Sequence, residues 1–277
     1  MAKTGQINTL RIIKKFNHKY FLDGEELGEL TITEEQEIEK LKPGDFVKVF
    51  IYKNRESDIV ASTKIPYALP GECALLKVIS FNSSGAFLDW GIPNDLFVPY
   101  SEQRNEMKEG SSYVVYILQN KEKDNIIGSA KIEKHLNKIP VNYSQGDKVN
   151  LIIYGSTDTA YKAVINNIHT GLLYKNEVFQ KITPGLKIKG FIKKIRDDNK
   201  IDLSLEKPGF TKVVSISEKI LIFLKQNNGI LHLTDKSDPQ EINSLFGVSK
   251  STYKKAIGTL YRKKLIQIEE KKIRLIE

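Results

Sequence analysis

One layout recurs three times along this chain, and it restricts the fold to a tandem array of small domains. The first copy reads Leu41-Lys42-Pro43-Gly44-Asp45, an apolar alternation from Phe46 to Tyr52, a charged turn from Lys53 to Asp58, and Ile59-Val60-Ala61-Ser62-Thr63-Lys64. The second reads Met107-Lys108-Glu109-Gly110, Tyr113 to Leu118, a turn from Lys121 to Asn125, and Ile126-Ile127-Gly128-Ser129-Ala130-Lys131. The third reads Ile182-Thr183-Pro184-Gly185, Leu186 to Ile195, a turn from Arg196 to Lys200, and Ile201-Asp202-Leu203-Ser204-Leu205-Glu206. Gly44 leads to Ser62, Gly110 to Ser129 and Gly185 to Ser204, so glycine and serine keep nearly the same spacing in every copy. The step from Gly44 to Gly110 is also close to the step from Gly110 to Gly185. Each copy is therefore one structural unit, and 277 residues suffice for two to four compact domains.

Each unit reads as all-β. Period-two runs are bounded by Gly, Asn and Asp, with a hairpin between the last two strands. In the second unit the earlier strands fall at Ala74 to Ile79, Ser84 to Trp90 and Asp95 to Tyr100. A unit of about 65 residues with five short strands has the size of an OB-type barrel, which binds oligonucleotides on one face. A sandwich or SH3-like barrel would give the same repeated hairpins. Trp90 alternates in phase with Leu88 and opposite to Phe87, which places it in the core.

From Ser215 the period changes to that of a helix. Ile216, Ile220, Leu221, Phe223 and Leu224 share one face, and Asn227-Asn228-Gly229 ends the segment. Ile230 to Leu233 reads as a short strand. Asp238 caps a second helix with Pro239 at its first position, and Ile242, Leu245 and Phe246 are its expected buried residues. Gly247-Val248 turns the chain, and Ser249 caps a third helix to about Lys263. That helix buries Tyr253, Ala256, Ile257 and Leu260 and presents Ser251, Lys255, Gly258, Thr259 and Arg262. Ile266 to Glu269 and Lys272 to Ile276 form a hairpin. Helix, strand, helix, turn, helix, hairpin is the order of a winged helix-turn-helix.

The expected domains are residues 1–66, 67–138, 139–208 and 209–277. Lys and Arg number 11, 8, 11 and 13 in them, against 11, 9, 7 and 7 Asp and Glu. The formal excess of +9 thus lies in the C-terminal half, as expected of an end that faces a polyanion. No apolar run reaches membrane-spanning length and no secretory h-region follows the start. Cys73 is the single cysteine, which fits a reducing cytoplasm. Ile65 to Pro70, Asn137 to Tyr143 and Pro208 to Lys212 read as short linkers of an extended chain of domains.

Within the second unit, Val78-Ile79, Gly85-Ala86-Phe87-Leu88-Asp89, Leu96 to Ser101, Gly110 and Ile126 to Lys131 resemble an S1 domain, the RNA-binding version of the OB-fold. Ser84 stands where such domains usually carry an aromatic, and Pro99 where they often carry a histidine. Units one and three match in their last two strands only. The whole chain resembles the conserved virulence factor B (CvfB-like) family of bacterial proteins. Gly171-Leu172-Leu173-Tyr174-Lys175-Asn176-Glu177-Val178-Phe179, Gly190 to Arg196 and Lys200 to Ser204 carry that resemblance, with Asp235 to Pro239 and Lys254-Lys255-Ala256-Ile257-Gly258-Thr259-Leu260-Tyr261. It implies a mainly β, multidomain protein: three tandem OB-fold/S1-like barrels, then a winged helix. It also implies RNA binding and an effect on expression of other genes.

No catalytic constellation is present in the sequence. His18, His135, His169 and His232 are scattered without metal-ligand spacing, so neither a metal nor a cofactor is expected. Asp197 and Asp198 suit a turn. The chain reads as a non-enzymatic binder of single-stranded RNA. Phe87 and Phe97 are the candidate stacking residues. Tyr161, Lys162, Lys193, Lys194 and Arg196 are the candidates of the third unit, and Lys250, Lys254, Lys255 and Arg262 those of the winged helix. Tyr174 and Phe179 read as packing residues. A DNA-binding regulator led by the winged helix, or an adaptor docking a protein through it, are the alternatives.

Overall fold

In the computed structural model the described residues are 1–16, 19–32, 41–54, 56–120, 125–178, 180–207 and 216–276. His18, Phe179, the segment 208–212 and part of each of the first two hairpin turns lie outside them. Two units form, Met1–Lys138 and Ile139–Glu277.

Unit one holds two five-stranded assemblies. β1 (Ile7–Phe16), β2 (Lys19–Asp23), β3 (Glu29–Ile32), β4 (Phe46–Lys53) and β5 (Ile59–Ser62) are arranged β3-β2-β1-β4-β5. β6 (Cys73–Asn82), β7 (Gly85–Leu88), β8 (Leu96–Pro99), β9 (Ser112–Asn120) and β10 (Asn125–Ser129) close into a barrel with the corresponding order. In unit two, β11 (Lys148–Ser156), β12 (Ala160–Ile165), β13 (His169–Tyr174), β14 (Lys187–Ile195) and β15 (Ile201–Ser204) close in the same way. The first strand pairs with the second and the fourth. In the closed barrels the third and fifth meet in parallel, through Phe97 and Ile127 and through Gly171 and Ile201. This is the OB order, and it decides between the three β architectures compatible with the sequence.

A first strand shared by two neighbours must bend. Each has a register shift at the same place, between Ile12 and Lys14, Val78 and Ser80, and Ile153 and Gly155. Such bulges increase local bend and twist. Inward residues then fill each barrel: Ile12, Leu22 and Ile51 in the first, Val78, Leu88 and Leu96 in the second, Ile153, Leu173 and Leu203 in the third. Gly85 is required by packing, since a Cβ there would stand 2.3 Å from the Val98 carbonyl oxygen.

The segment expected to link the first two barrels is instead packed between them. Ala68 is buried, its carbonyl accepts from Trp90 Nε1 at 2.8 Å, and Tyr67 N–H donates to the Trp90 carbonyl. Phe50 of β4 meets Trp90 edge-on at 5.5 Å. Trp90 is 1% exposed, in the core as expected, but that core joins two barrels. The sequence reading of an extended linker here is overturned: Ala68 and Phe50 have apolar partners on both sides of the joint.

The second barrel is latched by a buried carboxylate. Glu102, in a 3-10 turn after β8, accepts from Ser129 Oγ, from Lys134 Nζ and from His135 Nε2. Lys134 and His135 lie in α1 (Ile132–His135). Burial alone would raise the Glu102 carboxyl, but these hydrogen bonds outweigh it and hold it at about 2. In unit two, buried His169 similarly ties down residues expected as linker, through the Ile139 carbonyl at Nε2 and the Tyr143 hydroxyl at Nδ1.

The C-terminal elements are α2 (Ile216–Gln226), β16 (Ile230–Leu231), α3 (Pro239–Phe246), α4 (Lys250–Arg262), β17 (Ile266–Ile268) and β18 (Ile273–Leu275), with sheet order β16-β18-β17. This is a winged helix. Asp238 accepts from Gln240 N–H at 2.6 Å and Ser249 from Thr252 N–H at 3.2 Å. Gly247 ends α3 at φ 69°. α4 buries Tyr253, Ala256, Ile257 and Leu260, as its spacing predicts. Leu245 departs from expectation: it is 40% exposed. A two-turn helix buries a single i, i+4 stripe, here Ile242 and Phe246, and Leu245 falls beside it, lining a groove with Phe223.

Two outcomes follow. Trp90→Ala should cost about 3–5 kcal/mol and melt both barrels of unit one together; two separate urea transitions would count against a shared core. Stability from Glu102 should be complete above the ordinary carboxylate value of 4.5 and vanish as pH falls toward about 2, on the order of 3 kcal/mol. Thermal melts of Glu102→Gln and the parent chain should therefore converge in acid.

Candidate nucleic-acid interface

OB barrels bind along strands two and three and the adjoining loops. The shared register identifies the outward position at the centre of that face. In the second barrel it is Phe87, opposite Phe97 on β8, with ring centroids 5.1 Å apart. Their neighbours Leu88 and Leu96 point inward and are buried, while both phenylalanines are half-buried. Tyr100 and Phe81 add exposed aromatic surface at one end, the Tyr100 hydroxyl donating to the Asn82 carbonyl.

The first barrel has Phe21 at the same place, opposite Thr31. Lys14 pairs with Phe21 across β1 and β2, as Ser80 does with Phe87. Lys14 Nζ lies 4.5 Å from the Phe21 ring centroid and 3.0 Å from Glu29. Lys15 covers Tyr20 at 4.7 Å, and Phe16 is 65% exposed. Sequence reasoning passed over this face. The signal was available: the step from Phe21-Leu22-Asp23 to Phe87-Leu88-Asp89 equals the step from Gly44 to Gly110, the interval of the repeat.

In the third barrel the same place belongs to Lys162, opposite Leu172 and as far beyond Phe87 as Gly185 is beyond Gly110. Tyr161 is turned the other way. It pairs with buried Leu173 and packs against the barrel core, with Lys175 Nζ 5.6 Å from its ring. An inward ring cannot stack a base on the outer face, so its expected role is not supported by its position. Tyr174, expected as packing, is the outward aromatic. Arg196 donates to its hydroxyl and grips both oxygens of Asp202 at 2.7–3.0 Å. Those bonds to Asp202 push the guanidinium above its ordinary value. Lys193 is paired with Glu177. Lys194 is exposed and opposite Asp202 in register.

On the winged helix, Lys250, Ser251, Lys254, Lys255, Gly258 and Arg262 line one shallow depression along α4. Lys250 Nζ donates to the Ser237 carbonyl, and Lys254 stands 3.6 Å from Asp235. Lys255 and Arg262 are exposed, the latter with Nε toward the Gly258 carbonyl. In the wing, Glu269 binds both Lys272 and Arg274. Four cations thus line α4, while Lys272 and Arg274 of the wing are paired to Glu269.

Among the described residues no three His, Cys, Asp or Glu side chains come together as a metal site. The Cys73 thiol is buried, which pushes it up to about 12 and leaves it a poor nucleophile. Asp198 accepts from Lys200 N–H in its turn. No described helix is long and apolar enough to cross a membrane.

Tandem OB barrels of S1 type followed by a winged helix define the class. Residues 4–64 match the S1 domain, so the first barrel, expected to be only weakly S1-like, carries that match. Residues 218–275 match the CvfB-like winged helix domain. Conserved virulence factor B of Staphylococcus epidermidis is 25% identical over 98% of this chain and 94% of its own length. That of Staphylococcus aureus is 24% identical over 98% and 93%. Over nearly its whole length the chain is thus similar to conserved virulence factor B proteins. A crystal structure of a multidomain protein with nucleic acid binding domains from Streptococcus pneumoniae aligns over 99% of this chain and 98% of that one, at 23% identity and a TM-score of 0.44.

The opposed orientation of adjacent residues on β12 is directly testable. Tyr161→Ala should lower the stability of the third barrel by about 1–3 kcal/mol, and Lys162→Ala should change it by no more than about 0.5 kcal/mol. Equal effects in urea melts would show that the register is different.

Proposed function

We propose that this protein binds single-stranded RNA without catalysing a reaction on it and acts in post-transcriptional control of gene expression in the cytoplasm. The observation that carries this reading is the aromatic pair Phe87 and Phe97 on the ligand-binding strands of an OB barrel, with Phe21 beside Lys14 at the same register in the first. Unstacked bases of a single strand can lie on such rings, each contact worth roughly 1–3 kcal/mol. The phosphates call for cations. Residues 139–277 provide 24 Lys and Arg against 14 Asp and Glu, among them Lys162, Lys193, Lys194, Lys250, Lys254, Lys255 and Arg262. Binding these releases counterions and so weakens with salt. Arg196 contributes its planar face and its pairing with Asp202 rather than free charge.

A second reading is favoured by α4, whose cationic face is that of a helix able to lie on duplex DNA. Fluorescence anisotropy with labelled single-stranded RNA, single-stranded DNA and duplex DNA separates the two. Single-stranded RNA should bind tightest, and Phe87→Ala and Phe21→Ala should each weaken it roughly 5- to 150-fold while leaving the fold intact by circular dichroism. Folded protein that ignores RNA at low salt overturns the proposal. Preference for duplex DNA supports the second reading, and nuclease-resistant capture of a protein on the winged helix supports an adaptor.

A further inference from the structure

Two glycines in Ile139–Glu277 have no reason within the fold to be glycine. Every other described glycine either has a left-handed φ or would bring a Cβ within 3 Å of a neighbour. Gly155 on β11 and Gly258 in the middle of α4 do neither: their φ is ordinary, and a Cβ at each would meet nothing within 4 Å. Glycine weakens helix and strand interiors alike, because it gives up more backbone freedom than other residues on folding. The bulge does not require it at 155. The same bulge carries Lys14 in the first barrel and Ser80 in the second.

Both positions adjoin cations on the faces described above. Gly155 pairs directly with outward Lys162. Gly258 lines one depression with Lys250, Lys254, Lys255 and Arg262. A residue without a side chain lets another backbone approach closely. Cations around it select an anionic one. Lysine, arginine and serine are phosphate partners, and the lining of the α4 depression holds no Asn, Gln, Asp or Glu to read adenine or cytosine edges.

We infer that Gly155 and Gly258 are close-approach points, at which the sugar–phosphate backbone of a bound strand makes van der Waals contact with the main chain, whether its bases are adenine or uracil. This rests on the RNA-binding reading. At these points added bulk should be neutral or favourable to the free protein and harmful to the complex.

The test measures melting temperature and RNA affinity on the full chain for Gly258→Leu, Gly258→Ala and Gly155→Val, with labelled polyuridine and polyadenosine single strands. Expected are a melting temperature equal to or above that of the parent for all three. Affinity should fall roughly tenfold or more for Gly258→Leu and Gly155→Val, equally for both strands, with Gly258→Ala between them and the parent. A lowered melting temperature would show that the fold itself needs glycine and overturn the inference. So would unchanged affinity in variants of a protein that does bind RNA. A parent chain that binds neither strand would overturn the functional reading, and this inference with it.

Discussion

The bulge in the first strand of each barrel is the constraint on which the rest depends. A five-stranded barrel with one strand shared between two neighbours cannot close around a straight strand. The bulge bends it and, by inserting one residue into strand one, sets which of its side chains lies opposite each outward residue of strand two. Because it falls at the same place three times, it makes Phe21, Phe87 and Lys162 equivalent. One backbone thereby presents three chemistries: a ring beneath an ammonium, a pair of rings, and an ammonium beside a glycine. These differ although the barrels do not.

What holds each barrel closed also differs. Glu102 and Glu177 occupy equivalent positions in the second and third barrels, each ending a 3-10 turn. Glu102 is buried and receives three donors, whereas Glu177 is more exposed and takes Lys193. A buried carboxylate is tolerated only when its lone pairs are filled; Ser129, Lys134 and His135 fill them. The carboxylate thus fastens the end of the second barrel to the turn before its fourth strand. In the third, His169 fastens the entering chain instead. Together with the Trp90 joint, these contacts turn segments that look like linkers into parts of the core.

Much of this was legible in the sequence. The repeat, the inward Trp90, the caps Asp238 and Ser249 and the buried stripe of α4 all follow from local rules that tertiary packing did not override. The misses have physical causes. Tyr161 was named with Lys162 as a candidate, but adjacent residues of a strand face opposite sides, and it is Lys162 that faces out. Leu245 was assigned inward because a helix of two turns is too short to separate its buried stripe from the flank. Ala68 lies in a stretch with Pro and Gly nearby, and only the ring of Trp90 gives it a place. Phe21 was within reach, since the interval that relates Gly44 to Gly110 also relates Phe21 to Phe87.

The separation of rings from charge has a consequence for any polyanionic strand. The outward phenylalanines of the second and third strands, Phe21, Phe87 and Phe97, lie in residues 1–138, where there are 19 Lys and Arg and 20 Asp and Glu. Attraction there is not electrostatic at long range, and stacking depends little on salt. The excess cations lie in residues 139–277, where attraction reaches about a Debye length, roughly 8 Å at physiological ionic strength, and falls steeply as salt rises. The cation excess thus lies in one unit and the facing phenylalanine pair Phe87 and Phe97 in the other. On the winged helix, Lys272 and Arg274 of the wing share Glu269, whereas exposed Lys255 and Arg262 of α4 line one depression with Gly258.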